Sequence, residues 1–188
     1  MKLAAVFAVL VVAACGPAPS APSGSPDSIR VLSASAVPGV PYTTKTLTAS
    51  ELSKDAAIPG LESMFTKWGY VQGAERTFQG ESRHLTFVDS RSLLFLDSGG
   101  AAAYVEFVHS NATAYFGIAG VQALVAQGRP GWQFTPAACA CHMANPVIVG
   151  VVSSQAGVTW LEINGPDATP ALLVSLLDPS NSVRASSG

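Results

Sequence analysis

Residues 139–143 read Cys139-Ala140-Cys141-His142-Met143. Two thiols, an imidazole and a thioether this close together form a soft ligand set, suited to Cu(I) or Zn²⁺ rather than to hard cations. A C-x-C pair grips a metal from one side only, so a closed site needs ligands from elsewhere. His84 and His109 are the other histidines, and no spacing brings them near. Two plainer chemistries fit the same residues. A Cys139–Cys141 disulfide needs a tight turn, because residues two apart in a strand stand near the upper limit for bridging. Its strain would make it easily reduced and open a redox role. Otherwise both thiols are small buried apolar groups. A structural disulfide or inert thiols is the preferred reading, since cysteine pairs of exported chains are usually structural. The expected cofactor is none, with copper or zinc on Cys139, Cys141 and His142 as the alternative.

Charged residues offer less. Arg76, Arg83 and Arg91 are interleaved with Glu75, Glu81 and Asp89. That pattern predicts a solvated sheet face with opposite charges side by side, an anion-binding face being the alternative. Trp68, Trp132 and Trp160 sit at strand and helix spacing and read as core rather than as the lining of a lipid pocket. The chain contains no G-x-S-x-G, H-E-x-x-H, P-loop or G-x-G-x-x-G. A Ser/His/Asp set can still assemble in space, with His84, beside Asp89, and His109 as the bases to test. At 12% charged residues and three histidines, the expectation is a non-enzymatic protein with no catalytic residue assigned. A cryptic hydrolase is the remote alternative.

The first fifteen residues say where such a protein works. Lys2 precedes an unbroken apolar run from Leu3 to Ala14, closed by Val12-Ala13-Ala14-Cys15. A cationic start, a short apolar segment and small residues before a cut describe a secretory signal peptide. The apolar run is too short for the roughly 20 residues a spanning helix needs. Cys15 directly after the small pair resembles a bacterial lipobox, in which that cysteine is diacylated, with palmitate-type chains, and becomes the mature N-terminus. Each buried CH₂ adds about 0.8 kcal/mol, so two or three chains hold a protein on a membrane essentially permanently. Residues 1–14 are therefore expected to be a lipoprotein signal peptide. Residues 15–28, almost all Gly, Pro, Ala and Ser after the cysteine, are expected to be a lipid-anchored tether.

Without Lys2, nine basic residues face twelve acidic ones, a formal charge of −3. Nucleic acid needs a clustered basic face, so it is not an expected partner. A polybasic membrane patch is excluded on the same ground. The remaining 29–178 are enough for one domain with a sizeable core, and 179–188 read as a flexible tail.

Elements follow from period and punctuation. Val40 to Thr48 is extended, and Thr48-Ala49-Ser50-Glu51 has capping-box spacing. After Pro59, Leu61, Met64, Phe65 and Trp68 fall on one helix face, with Gly69 at its end. Tyr70 to Phe78 reads as a strand. Arg83–Val88 and Arg91–Leu96 read as two strands or one bent at Asp89-Ser90. Asp97 is a candidate N-cap for a helix whose stripe is Ala101, Tyr104, Val105, Val108, Ala112 and Tyr115. A short helix is expected over Val121–Ala126, and irregular or extended chain over 131–145. Pro146 to Ser153 reads as a buried central strand, Val158 to Asn164 as its hairpin partner, and Leu172, Leu173, Leu176 and Leu177 as a last helix. Hairpins followed by helices predict an α+β fold: a mainly antiparallel sheet with helices packed on one face, a two-layer sandwich.

Three phrases carry a resemblance. They are Trp68-Gly69-Tyr70 with Gly73, Arg76, Phe78 and Gly80; Phe95, Asp97, Gly100, Ala101, Ala103, Tyr104 and Val105; and Trp160-Leu161-Glu162-Ile163-Asn164-Gly165-Pro166. Over about residues 40–178 the chain resembles uncharacterised exported lipoproteins of high-GC, actinobacterial-type bacteria, a group without an assigned activity. Its element order is similar to sensor-type and Mog1/PsbP-like α+β domains, an analogy of architecture alone. The expected function is a lipid-anchored domain at the extracytoplasmic face of the cell membrane. There it binds a small molecule, a lipid or an envelope protein. A metal or redox protein built on the C-x-C-H segment is the alternative.

Overall fold

The computed structural model describes residues 29–80, 84–117, 120–137 and 145–185. Seven strands form one antiparallel sheet: β2 (Tyr42–Leu47), β3 (Tyr70–Gln79), β4 (Phe87–Phe95), β5 (Gly120–Ala126), β6 (Arg129–Thr135), β7 (Val147–Ser154) and β8 (Gly157–Asn164). Their order is β2-β3-β4-β8-β7-β6-β5. Every neighbouring pair is antiparallel. A two-stranded ribbon pairs β1 (Arg30–Leu32) with β9 (Ser182–Arg184). The mainly antiparallel α+β sandwich predicted from the sequence is what forms, with helices against both faces of the sheet rather than one.

Alternation along each strand sorts side chains onto two faces. On the first, Leu93, Phe95, Val149, Val151, Val158 and Trp160 meet Tyr104, Val105 and Val108 of α3 (Ser98–Ser110). The same face carries α1 (Ala49–Leu52), α2 (Leu61–Lys67) and α4 (Ala112–Phe116). Phe65 of α2, fully buried, lies within 5.4 Å of both the Tyr70 and Tyr104 rings. Burying a side chain of that kind contributes about 2–3 kcal/mol.

The second face holds Val88, Leu161, Ile163, Ile148 and Val152 against Leu173, Leu176 and Leu177 at α5 (Pro170–Leu176). Gly150 lets this helix close on the sheet. A Cβ there would stand 3.0 Å from a Leu173 methyl and 3.2 Å from a Leu177 methyl. The β1–β9 ribbon shares this side: Leu32 N donates to Ser90 Oγ at 2.9 Å. No helix among the described residues is long and apolar enough to cross a membrane.

Three local expectations change. Val121–Ala126 is not a helix but the edge strand β5, and its hairpin partner is β6 (Arg129–Thr135), which takes the extended form of the irregular or extended chain expected from residue 131. The turn between them runs through Gln127 (φ 54°) and Gly128 (φ 74°), left-handed at both positions, as a tight hairpin requires. Asp89-Ser90 is no bend; β4 passes straight through it. Residues 182–184 are not a frayed tail but β9, pinned by Arg30, whose Nη2 donates to the Ser182 carbonyl at 2.8 Å.

Candidate functional site

Two groupings of polar side chains stand out, one on each face of the sheet. On the α3 face, Lys45, Glu75, Arg91 and Trp160 stand side by side on β2, β3, β4 and β8. Lys45 Nζ lies 2.6 Å from Glu75 Oε2, and Arg91 Nε lies 2.9 Å from Glu75 Oε1 and 2.7 Å from Asp89 Oδ2. Asp55, from the α1–α2 connection, pairs with Arg91 Nη1. The guanidinium carbon sits 5.4 Å from the Trp160 ring centroid.

This overturns the solvated-face reading of the charge series. Glu75, Arg76 and Asp89 expose only 7, 6 and 3% of their surface. Nor do the arginines form an anion-binding face. Arg76 points to the opposite side, giving its Nε to Thr44 Oγ1 at 2.9 Å and its Nη1 to the Leu32 carbonyl at 3.0 Å. Arg83 lies outside the described residues.

Three carboxylates around one guanidinium leave negative charge in excess at the middle of the sheet. Asp89 Oδ1 is buried without a hydrogen-bond partner, and Glu162 stands directly across from it on β8. Burial, reinforced by Glu75 and Glu162 and opposed by Arg91, pushes the Asp89 carboxyl up to about 7. Burial also raises Asp55, and the surrounding carboxylates raise Arg91 against its own burial. Chemically, a carboxyl pushed up to about 7 can take up or release a proton near neutral pH. The network is buried at Glu75 and Asp89 and reaches solvent at Lys45, and among the described residues no group of three or more His, Cys, Asp or Glu is arranged to hold a metal ion.

The second grouping lines a cleft of about 630 Å³ between the other face of the sheet, the β1–β9 ribbon and the end of α5. Its floor carries Ser90, Ser92 and Thr159, and its apolar wall includes Leu161, Leu176 and Leu177. Arg129, half-buried at the start of β6, lies along one side. Its Nε donates to the Ala126 carbonyl at 3.3 Å, its Nη1 to Thr159 Oγ1 at 3.2 Å and its Nη2 to the Leu177 carbonyl. Burial lowers its pKa, with Asp178 pulling the other way, and an arginine stays charged at every working pH. Asp97 and Asp178 also line the cleft. Each spends one oxygen on a cap, Asp97 on Gly100 N and Asp178 on Ser180 N, both at 2.8 Å.

The residues singled out from the sequence fall elsewhere. Cys139, Cys141 and His142, the candidate metal ligands, and Cys15, the candidate lipid attachment point, lie outside the described residues. His84 pairs with Asp167 rather than with Asp89. His109 stacks on Trp132 with ring centroids 3.5 Å apart, its Nδ1 2.9 Å from Glu106 Oε1. Ser110 Oγ lies 3.4 Å from the same oxygen. That order puts the carboxylate between serine and histidine, whereas a nucleophile–base relay needs the histidine in the middle. Neither His84 nor His109 lines the cleft. The three tryptophans belong to the main core or pack against it, as expected.

Arg129 escaped sequence reasoning because Gly128-Arg129-Pro130 reads as a turn, and nothing in a turn tripeptide announces a half-buried cation. No family model matches the chain, and no curated protein matches it. Among solved structures, the extracellular domain of PknH from Mycobacterium tuberculosis aligns over 81% of this chain and 81% of its own. It shares 11% identity at a TM-score of 0.36, a likeness too slight to carry argument about this chain.

Proposed function

We propose that this protein is exported, acylated on Cys15 and held at the extracytoplasmic face of the cell membrane, where its folded part binds a small ligand without transforming it. The leader Met1–Ala14, the cysteine that follows it and the Gly/Pro/Ser/Ala tether support the placement. One observation carries the binding role: the cleft of about 630 Å³ over the second face of the sheet. Ligand sites typically occupy about 300–1,000 Å³, with mostly apolar walls and a few convergent polar groups. The cleft matches that description, with leucines on its wall and three hydroxyls on its floor. The same observation favours a small molecule over an envelope protein, because a protein partner calls for an exposed apolar patch rather than a hollow.

The test is binding of the neutral fluorophore phenylnaphthylamine, which brightens on leaving water. The wild-type protein is expected to brighten it saturably. Ser92→Trp, which fills the cleft from its floor, is expected to abolish the signal while leaving the thermal melt in place. Saturable binding that survives Ser92→Trp, or no binding at all, overturns the cleft as the ligand site.

A further inference from the structure

We propose that the cleft selects a small organic monoanion, a carboxylate on an apolar body, whose charge is met by Arg129. The inference rests on the cleft being the ligand site. It comes from the condition of that arginine. The guanidinium is half-buried yet, among the described residues, forms no ion pair with a carboxylate. Its three hydrogen bonds go to neutral oxygens of Ala126, Thr159 and Leu177. Asp178 acts on Arg129 through space but makes no ion pair with it, and a partly desolvated charge with no counter-charge in contact is costly, so the arrangement is completed by an anion rather than by a neutral or cationic guest.

Geometry favours the same guest. The three bonds come from the end of β5, from β8 and from the last turn of α5, so the planar group is fixed before any ligand arrives. A guanidinium carries five N–H donors, and three bonds leave two of them for a partner. A rigid fork of N–H groups matches a carboxylate in a paired, charge-assisted contact. Thr159, which accepts from Arg129, lies in register with Ser92 on the neighbouring strand. The anion therefore meets hydroxyls beside the guanidinium. The leucines of the wall then cover an apolar body. The cleft is lined by two cations, Arg30 and Arg129, and two carboxylates, Asp97 and Asp178, so the lining holds no surplus of positive charge to offset a second negative charge on the guest. A monoanion is preferred to a dianion for that reason.

The experiment is displacement of phenylnaphthylamine from residues 15–188 carrying Cys15→Ser, so that no attached acyl chain competes. The competitors are decanoate, decanamide and decyltrimethylammonium, which share a chain and differ in head charge. Decanoate is expected to displace the fluorophore at a concentration about tenfold or more below either of the others, the worth of one charge-assisted contact. Arg129→Gln is expected to erase that preference, and Arg129→Lys, which keeps the charge but loses the fork, to retain part of it. Equal competition by decanoate and decanamide overturns the inference and leaves the cleft as a neutral site. A loss in Arg129→Lys as large as in Arg129→Gln, with both variants melting like the wild type, overturns it as well. Should Arg129→Gln not fold, the order of the three competitors on the wild type decides. Failure of the fluorophore to enter the cleft is a different result and sinks the ligand-site reading itself.

Discussion

Replacing Asp89 with asparagine removes a titrating group from the centre of the sheet while keeping its shape. An aspartate in an unfolded chain titrates near 3.9. In the folded protein, burial and the neighbouring Glu75 and Glu162 push Asp89 up to about 7, against the pull of Arg91. Between those values the folded protein keeps a proton that the unfolded chain has released. A group whose pKa is raised on folding weakens the fold as pH rises, and the loss is complete once pH passes the folded value. The window is therefore about pH 4 to pH 7. Three pH units at 1.36 kcal/mol each give a ceiling of about 4 kcal/mol. From pH 5 to pH 7, where close to one proton separates the two states until the folded group itself begins to titrate, the loss comes to roughly 2–3 kcal/mol.

Asparagine mimics the protonated acid at every pH. Unfolding free energies from urea titrations of wild type and Asp89→Asn should nearly coincide at pH 4.5 and diverge steadily above it. By pH 8 the variant should be the more stable by about 3 kcal/mol, after allowance for whatever constant difference the amide introduces. Taking the difference between the two proteins cancels Glu75, Asp55 and every other carboxylate present in both. Two stability curves that stay parallel from pH 5 to pH 8 would refute the reasoning, because Asp89 would then be charged in the fold throughout. A variant that loses ground as pH rises would refute it more strongly, since the Arg91 pair would outweigh burial.

Gly100→Ala tests packing beneath α3. A Cβ at this buried position would overlap the Trp68 carbonyl oxygen and stand 3.4 Å from Phe95 Cβ. Alanine would gain up to ~1 kcal/mol in an exposed helix, but overpacking here should cost roughly 3 kcal/mol in a urea titration. Cys15→Ser tests the anchor: expressed in an actinobacterial host, the wild type should take up labelled palmitate and sediment with membranes. The serine variant should do neither, and an unlabelled wild type would remove the lipid from the proposed function.

Signals contained in a few consecutive residues were legible before the structure. Thr48 and Glu51 form the expected box, Thr48 Oγ1 accepting from Glu51 N at 3.2 Å and Glu51 Oε2 from Thr48 N at 2.7 Å. Asp97 caps α3 as its position before the helical stripe predicts. β5 failed for an equally local reason. Val121, Leu124 and Val125 fit helical spacing, and the strand period is blurred because Val121 and Val125 are exposed while Leu124 and Ala126 are buried. Its turn uses Gln127-Gly128 where Asn-Gly would have announced a hairpin. The cleft was beyond reach of any window. Arg30 bonds Ser182 across 152 positions, and α5 closes over β7 and β8 only because Gly150 leaves room.

β4 shows how the charged network stayed hidden. Along Phe87-Val88-Asp89-Ser90-Arg91-Ser92-Leu93-Leu94-Phe95, one face of a straight strand collects Asp89 and Arg91 together with Leu93 and Phe95. Read by alternation alone, that puts two charges on a core face, which a bend at Asp89-Ser90 would avoid. The strand runs straight because the conflict is resolved laterally: Glu75 and Lys45 continue the row on β3 and β2, and Asp55 reaches in from the α1–α2 connection. Each of those partners is remote in sequence, so the charges on β4 look misplaced until all three are in position. Arg91 is the cation that Asp55, Glu75 and Asp89 share, so removing it strands buried negative charge, at a cost of about 3–5 kcal/mol. The network therefore makes the α1–α2 layer and the edge strand β2 depend on the centre of the sheet. Asp89 is the member through which pH enters that dependence.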